Sequence, residues 1–413
     1  MRLLIPVLLA EHVKFQSWWD IVLIRKGHSP ISGLASSLLN LLASVDRLAH
    51  IQREVKLRHE DEDENPKGKG PAPDFSKPCP PHICPATNNT LWQTISQNTE
   101  TVRIVELLSH EKRLVDLLNS TGGNYTFFAP TDRALDGFLE DNPVPSSWSD
   151  ILSYHIVHGA FPNALLKHQE TLATELNQTG QGHRAQRLTV TVDEDEIASN
   201  GVLQQINHVL VPPPTTSTIL NRLPSTFSAF ALALSVTALN GSLHAETRLG
   251  GTTFALTNAA FDRLGEEANA YLFSPEGEQC LRVLVQYHLV VNMTLFSDTL
   301  YDAHGGVQEF AADGEPLSVH VELPTLLRGQ KMNVDISRRR ADTVLRINGF
   351  HRVRELDWLA SDGVVHVLDR VLVPPMKLQA SSQGHVEYSG GEMTVEELRE
   401  WLGVCRPKTR MEL

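Results

Sequence analysis

Fourteen consecutive positions in the middle of the chain return near its end. NGVLQQINHVLVPP occupies residues 200–213 and DGVVHVLDRVLVPP residues 362–375, aligned without a gap. Two earlier landmarks repeat in the same order. FFAPTDRAL (127–135) and YHIV (154–157) precede the first block, and FALTNAAF (254–261) and YHLV (287–290) precede the second. Ordered self-similarity over more than a hundred residues is the mark of a duplicated folding unit, and it constrains the architecture more than any composition. The second copy is longer between Tyr287 and Asp362, where it carries YDAHGG and a polar stretch around Arg338–Arg340.

The landmarks can be read locally. Asn200-Gly201 and Asp362-Gly363 are turn dipeptides, because these residue types tolerate positive φ. Each leads into a strand. Val364, His366 and Leu368 share one face of the second, and Val365, Val367 and Val371 the other, so this strand is expected to be packed on both sides. Pro212-Pro213 and Pro374-Pro375 stop the pairing, since proline has no backbone donor. TFFAP (126–130) reads as a short buried strand, with Thr131 capping a following helix that buries Ala134, Leu135 and Phe138. The second copy keeps Thr257 but has Leu256 in place of the proline. Apolar spacing predicts helices over Thr101–Leu118, Thr218–Leu239 and Leu281–His288. Helices and short strands mix without a regular βαβ alternation, so each copy is α+β.

The flanks differ in kind. MRLLIPVLLA (1–10) looks like a secretory start, although Glu11, His12 and Lys14 follow at once, and GLASSLLNLLASV (33–45) offers a second apolar run. Residues 1–45 are therefore read as a leader region. Residues 46–87 form an acidic, proline-rich linker that includes EDEDENPKGKGPAPDFSKP. No apolar run reaches the length of a membrane-spanning helix, and the polar C-terminus lacks a lipid-anchor signal. The tail, 377–413, contains MTVEELREWLG (393–403). Thr394 and Glu397 make a capping box there, Val395, Leu398 and Leu402 an apolar stripe, and Gly403 a stop. It is expected to dock on the second copy, with capture of a partner helix as the alternative.

Four cysteines in 413 residues are sparse, and domains this large need no disulfide scaffold. Cys79 and Cys84 suit a local disulfide in an oxidising compartment. With His82 they lack a fourth zinc ligand. Cys405 could tie down the tail, for instance to Cys280, but spacing does not decide connectivity. Asn88, Asn119, Asn124, Asn177, Asn240 and Asn292 each begin a glycosylation sequon, which agrees with secretion.

Chemistry is hard to find. A net charge of −13 disfavours general nucleic-acid binding, and no basic patch with interleaved aromatics stands out. There is no nucleophile elbow, HExxH or P-loop, and no cofactor motif. Cys280 and His288 are eight apart, over two helical turns. Asp132 and Asp136 could share a helix face, as a glycosidase pair would, but the second copy has Asn258 and Asp262 instead. His155 and His288 each follow a tyrosine in an apolar run. The plainer reading is a buried ring bonded to a backbone carbonyl or a hydroxyl; the alternatives are an interaction surface or, last, catalysis.

TFFAPTDRAL, YHIV and NGVLQQINHVLVPP together resemble the fasciclin (FAS1) domain. The first and third are similar to its two characteristic blocks and YHIV to the Tyr-His pair between them. The resemblance covers 88–214 and 216–376. It implies two tandem α+β modules, each a seven-stranded β wedge with a helical portion. It also implies a non-enzymatic, secreted or cell-surface interaction protein with no cofactor. Its partners would be cell-surface or matrix proteins or glycans, with weak self-association open. Members at fungal cell surfaces and vacuoles make endomembrane duty the alternative, and a glycan-active hydrolase is the remaining one. Tyr154, His155, Tyr287 and His288 match the Tyr-His pair, whose neighbourhood the family links to recognition.

Overall fold

The computed structural model describes residues 89–403, apart from 143, 144, 146, 163–165, 167–170, 179, 180, 183, 190–194, 199, 244–248, 305, 311–316, 340, 341, 376–387, 389 and 390. The leader, the acidic linker, Asn88, Cys79, Cys84 and Cys405 all lie outside the described residues.

The first module opens with three short helices, α1 (Leu91–Gln97), α2 (Val102–Ser109) and α3 (Lys112–Leu118). They precede β1 (Tyr125–Pro130), α4 (Asp132–Asp141), α5 (Trp148–Tyr154) and β2 (Ile156–His158). Strands β3 (Leu172–Gln178), β4 (Arg184–Leu188), β5 (Asp195–Ala198) and β6 (Gly201–Ile206) complete a sheet of order β4-β3-β2-β1-β6-β5. Only β1 and β6 run parallel among its pairs, with Tyr125 opposite Gly201. Two cores flank β1. Phe127 packs with Leu91, Ile95, Leu108 and Leu203 on one side, and Phe128 with Tyr154, Val157 and Leu188 on the other. Adjacent strand residues face opposite ways, so the consecutive phenylalanines seal both faces.

The second module repeats this plan and extends it. Helices α6 (Thr216–Arg222) and α7 (Pro224–Val236) lead to β7 (Gly251–Leu256), α8 (Asn258–Asp262), α9 (Glu266–Leu272) and α10 (Glu278–Tyr287). Strands β8 (Leu289–Val291), β16 (Glu355–Ala360) and β17 (Gly363–Leu368) join β7 in the order β16-β17-β7-β8. Here too the central pair, β17 and β7, is parallel, and β17 is buried throughout. Between β8 and β16 lie two further sheets. One is β11-β10-β9, from Thr294–Leu295 (β9), Thr299–Tyr301 (β10) and Val307–Glu309 (β11). The other is β12-β13-β14-β15, from Leu317–Pro324, Lys331–Arg339, Asp342–Ile347 and His351–Arg352. The expected seven-stranded wedge is thus six strands in the described residues of the first module. The second spreads its strands over three sheets, because the added length between Tyr287 and Asp362 folds into hairpins.

Thr131 and Thr257 cap α4 and α8 as expected, accepting from the Ala134 and Ala260 amides. Both turn glycines are required. At Gly201 (φ 152°) and Gly363 (φ 149°) a Cβ would strike the backbone carbonyl of Tyr125 and Gly251, respectively. Asn200 and Asp362 do more than turn the chain. Asn200 Oδ1 accepts from Leu91 N at 2.7 Å, and Asp362 Oδ1 from Thr216 N at 2.8 Å, so each ties the last strand of its module to that module's first described helix.

Two expected helices are each divided. Thr101–Leu118 breaks at His110-Glu111 into α2 and α3. Thr218–Leu239 breaks at Leu223, because Pro224 has no amide to continue α6 and is well placed to begin α7. The tail helix α11 (Val395–Leu402) has both arms of its capping box, and Gly403 closes it at φ 59°. It lies on the second module: Met393, Leu398 and Leu402 enter that core, and Arg399 sits 4.6 Å over the Tyr271 ring.

The modules meet through β3–β4 of the first and the β9–β10 region of the second. Asp298 accepts from the Thr171 amide (2.8 Å) and hydroxyl (2.7 Å) and faces Arg187 at 3.4 Å. Arg187 lies over the Phe296 ring and Arg184 over Tyr301. Gln181 donates to Ala360 O and the Tyr301 hydroxyl to Ala185 O. The Arg187 and Asp298 side chains are only 6% and 8% exposed.

Candidate functional site

The two Tyr-His pairs are built alike. α5 ends at Tyr154 and α10 at Tyr287, and the histidine after each tyrosine is its helix's C-cap. His155 Nδ1 lies 2.8 Å from Ile151 O, and its Nε2 accepts from Leu210 N at 3.0 Å. His288 repeats this with Leu284 O at 2.7 Å and Leu372 N at 3.0 Å. A carbonyl can only accept and an amide can only donate, so each ring is neutral with its proton on Nδ1. Burial pushes both rings down to about 4, against the backbone carbonyl bond that favours the charged form. The histidine carbonyls accept from Phe128 N and Phe254 N, at 2.9 and 3.0 Å. One residue therefore joins the helix end, the FFAP-type strand and the VLVPP exit, which are the three landmarks the sequence repeats.

The tyrosines are also internal. Tyr154 Oη donates to Arg187 O at 3.1 Å, and burial raises its pKa. Tyr287 Oη accepts from Asn348 Nδ2 at 2.9 Å. Tyr154 is 3% exposed, and His155, Tyr287 and His288 are fully buried. All four side chains point into the core, so the recognition that the resemblance links to the neighbourhood of the pair does not fall to these side chains themselves. A helix end next to two strands needs its carbonyls and the facing amides satisfied, and the imidazole does this.

A third buried ring has no twin. His366 Nε2 bonds to Leu295 O at 2.8 Å, its Nδ1 accepts from Asp357 N at 3.3 Å, and its ring stacks on Phe254. Burial lowers it to about 4 as well. The matching residue is Gln204, whose Nε2 donates to Phe161 O at 3.1 Å.

The other candidates take ordinary places. Asp132 accepts from the Arg103 amide, and Asp136 pairs with the Arg103 guanidinium, so these carboxylates hold α2. Asn119, Asn177 and Asn240 are exposed, whereas Asn124 and Asn292 are half-buried. Asn292 has φ 63°, and its Oδ1 holds Leu249 N. Cys280 is buried in a disulfide. Among the described residues no cluster of His, Cys, Asp or Glu could hold a metal ion, and no helix is long and apolar enough to cross a membrane.

One surface feature was missed in the sequence. RINGFHRVR (346–354) covers the tip of the β14–β15 hairpin and the two residues after it. Asn348 (φ 50°) and Gly349 (φ 80°) form its turn, and Phe350 at the tip is 72% exposed. Arg346 and Arg352 stand opposite each other across the ladder. Asn-Gly between alternating residues is a hairpin signal that could have located it.

Two α+β modules in tandem, each tied by a buried Tyr-His corner, define a duplicated-module protein. The fasciclin domain profile matches residues 99–212 and 225–374, and the chain belongs to that family. It is similar to the aurofusarin biosynthesis cluster protein S of Gibberella zeae, 28% identical over 77% of this chain and 86% of that protein. It is also similar to the transforming growth factor-beta-induced protein ig-h3 of Sus scrofa (27%; 61% of this chain) and to periostin of Homo sapiens (21%; 66%). The match spans only 35% and 30% of those two animal proteins. A FAS1 domain pair of the insect cell adhesion molecule fasciclin I matches 66% of this chain and 97% of its own at 18% identity, with a TM-score of 0.31.

Proposed function

We propose that this chain is a non-catalytic, secreted or surface-associated interaction protein, whose two fasciclin modules bind a surface or matrix partner. What supports the reading most is the state of the Tyr-His corners. Both imidazoles have both nitrogens bonded to backbone and are neutral, so neither is free to act as acid, base or ligand. Function then falls to the module surfaces. The polar, buried contact between the modules supports a pair that presents those surfaces in fixed relation. Membership of the fasciclin family, whose domains occur in cell-adhesion proteins, supports adhesion in part. The aurofusarin-cluster relative favours a second reading, an accessory protein of a biosynthetic gene cluster. Endomembrane or vacuolar duty is a third destination for the same modules.

The test is intact-mass analysis of the native protein before and after enzymatic deglycosylation, with N-terminal sequencing, and then binding to intact cells and isolated matrix. A trimmed, glycosylated protein that binds cells or matrix is expected. An untrimmed, unglycosylated chain would overturn the secreted reading, and one recovered only from vacuolar fractions would favour the endomembrane reading.

A further inference from the structure

The tail helix α11 lies along one face of the second module, over α9 and α10. Its approach is fixed where Met393 N donates to Leu264 O at 3.1 Å. Beside that bond the Glu392 side chain covers Gly265, where a Cβ would stand 2.9 Å from Glu392 Cγ. Further along, Leu398 and Leu402 enter the core, and Trp401 meets the Tyr388 ring edge-on at 6.4 Å. The Arg399 guanidinium, 4.6 Å from the centre of the Tyr271 ring, marks where the last turn sits. The Tyr271 hydroxyl in turn lies 3.7 Å from Cys280 Sγ. The end of the tail helix therefore comes down beside Cys280.

Cys280 is fully buried near the start of α10, in the same core that receives Leu398 and Leu402, and its sulfur is in a disulfide. Three cysteines could supply the other sulfur. Cys79 and Cys84 precede α1, which packs in the core of the first module and is bonded to Asn200. α1 rests on β6, toward the opposite edge of the sheet from the β3–β4 joint. Pairing either cysteine with Cys280 would bring the N-terminal arm across from that edge to the second module. Cys405 is far better placed, two positions beyond the Gly403 cap of α11. Two residues span up to about 7 Å, and a disulfide joins Cα atoms about 4.4–6.8 Å apart. A sulfur carried just past the last turn of α11 can thus meet one beside Tyr271. The first module has Ser147 at the position matching Cys280, and its hydroxyl caps α5 instead.

We propose that Cys280 and Cys405 form one disulfide, and that this bond latches the tail helix onto the second module. The bond arises by thiol–disulfide exchange with an oxidant disulfide, that of a thiol oxidoreductase or of glutathione. The Cys280–Cys405 bond forms as the oxidant's S–S bond breaks. The two thiol protons and two electrons pass to the oxidant's sulfurs, which leave as thiols. An oxidising compartment keeps the tail latched, and a reducing one runs the exchange backwards. Once unlatched, a helix this short has little stability of its own away from the module. The latch does not depend on what the modules bind.

The test maps disulfide-linked peptides of the native full chain by mass spectrometry, without reduction and with free thiols blocked first. The peptide holding Cys280 is expected to be linked to the one holding Cys405. A link to Cys79 or Cys84, or a Cys280 thiol that can be blocked on unfolding without reductant, overturns the pairing. The latch is read separately, as the rate of tryptic cleavage after Arg399 under native conditions. Cys405→Ser, and the wild type after mild reduction, should be cut about tenfold or more faster than the oxidised wild type. The double variant Cys79→Ser, Cys84→Ser should be cut at the wild-type rate. Equal rates with and without the Cys405 sulfur would mean that the apolar stripe alone holds the helix, and would overturn the latch. So would a double variant cut as fast as Cys405→Ser.

Discussion

Replacing His366 by glutamine should make the second module less sensitive to acid. The first module already shows the replacement at work, since Gln204 donates to a backbone carbonyl from the matching position. His366 titrates near 4 in the folded chain because burial penalises its charged form. Unfolded, it would titrate near 6.5. The unfolded state therefore takes up the proton first as pH falls. Stability begins to drop as pH passes below about 6.5 and stops dropping, for this group, below about 4. Between about pH 8 and about pH 5 the loss is about 2 kcal/mol, and the whole gap corresponds to about 3 kcal/mol. His155 and His288 behave in the same way and remain in the variant. The assay is urea unfolding of wild type and His366→Gln near pH 8 and near pH 5. Any cost from losing the Phe254 stack appears at both pH values and cancels in the difference. The variant should lose about 2 kcal/mol less than the wild type on acidification. An identical loss in both proteins would refute a neutral, buried His366.

Asp298→Ala leaves the Arg187 guanidinium buried without its carboxylate and should cost about 3–5 kcal/mol, seen as a lower unfolding midpoint and faster proteolysis between the modules. A change under about 1 kcal/mol would mean that water already reaches the pair. Gly363→Ala drives a Cβ into the Gly251 carbonyl and should cost about 3 kcal/mol or more. Gly329→Ala, at φ 75° with open space around it, should cost only about 1 kcal/mol; equal midpoints for the two would refute the clash. Glycopeptide mapping should find sugar on exposed Asn119, Asn177 and Asn240 ahead of half-buried Asn292, and the reverse order would refute the burial argument.

Local chemistry was readable in advance. Thr131, Thr257, the Thr394–Glu397 box and the two turn glycines act through neighbours a few residues away, so their residue types carry the information. The duplication was readable for another reason: the repeated stretches meet at one corner and cannot vary freely. A buried ring was the plainer reading of each Tyr-His pair, but the second bond of each ring, to an amide 55 or 84 positions on, left no trace in the sequence. The helix break at Pro224 was written in the sequence and outweighed by periodicity. The contact between modules left no pattern at all. Thr171, Arg187 and Asp298 are separated by up to 127 positions, and pairs at that range leave no periodic trace. The RINGFHRVR hairpin was legible as a turn, but its exposure depends on packing that composition does not report.

The two copies have diverged where a tandem protein can use divergence. In the first, β3–β4 is spent on the contact with the second module, and Tyr154 supports it through Arg187 O. In the second, the corresponding hydroxyl points its proton at Lys331 O (3.5 Å) and in addition accepts from Asn348, which supports the β14–β15 turn. The same buried corner thus braces an internal joint in one copy and an exposed hairpin in the other. Identical cores could not make this distinction, because the corner's own bonds are the same in both modules. The difference lies in the segment between the Tyr-His pair and the final strand, which is the segment whose length differs. A core that fixes the corner and leaves that segment free to vary lets one module build the joint and the other carry an exposed hairpin.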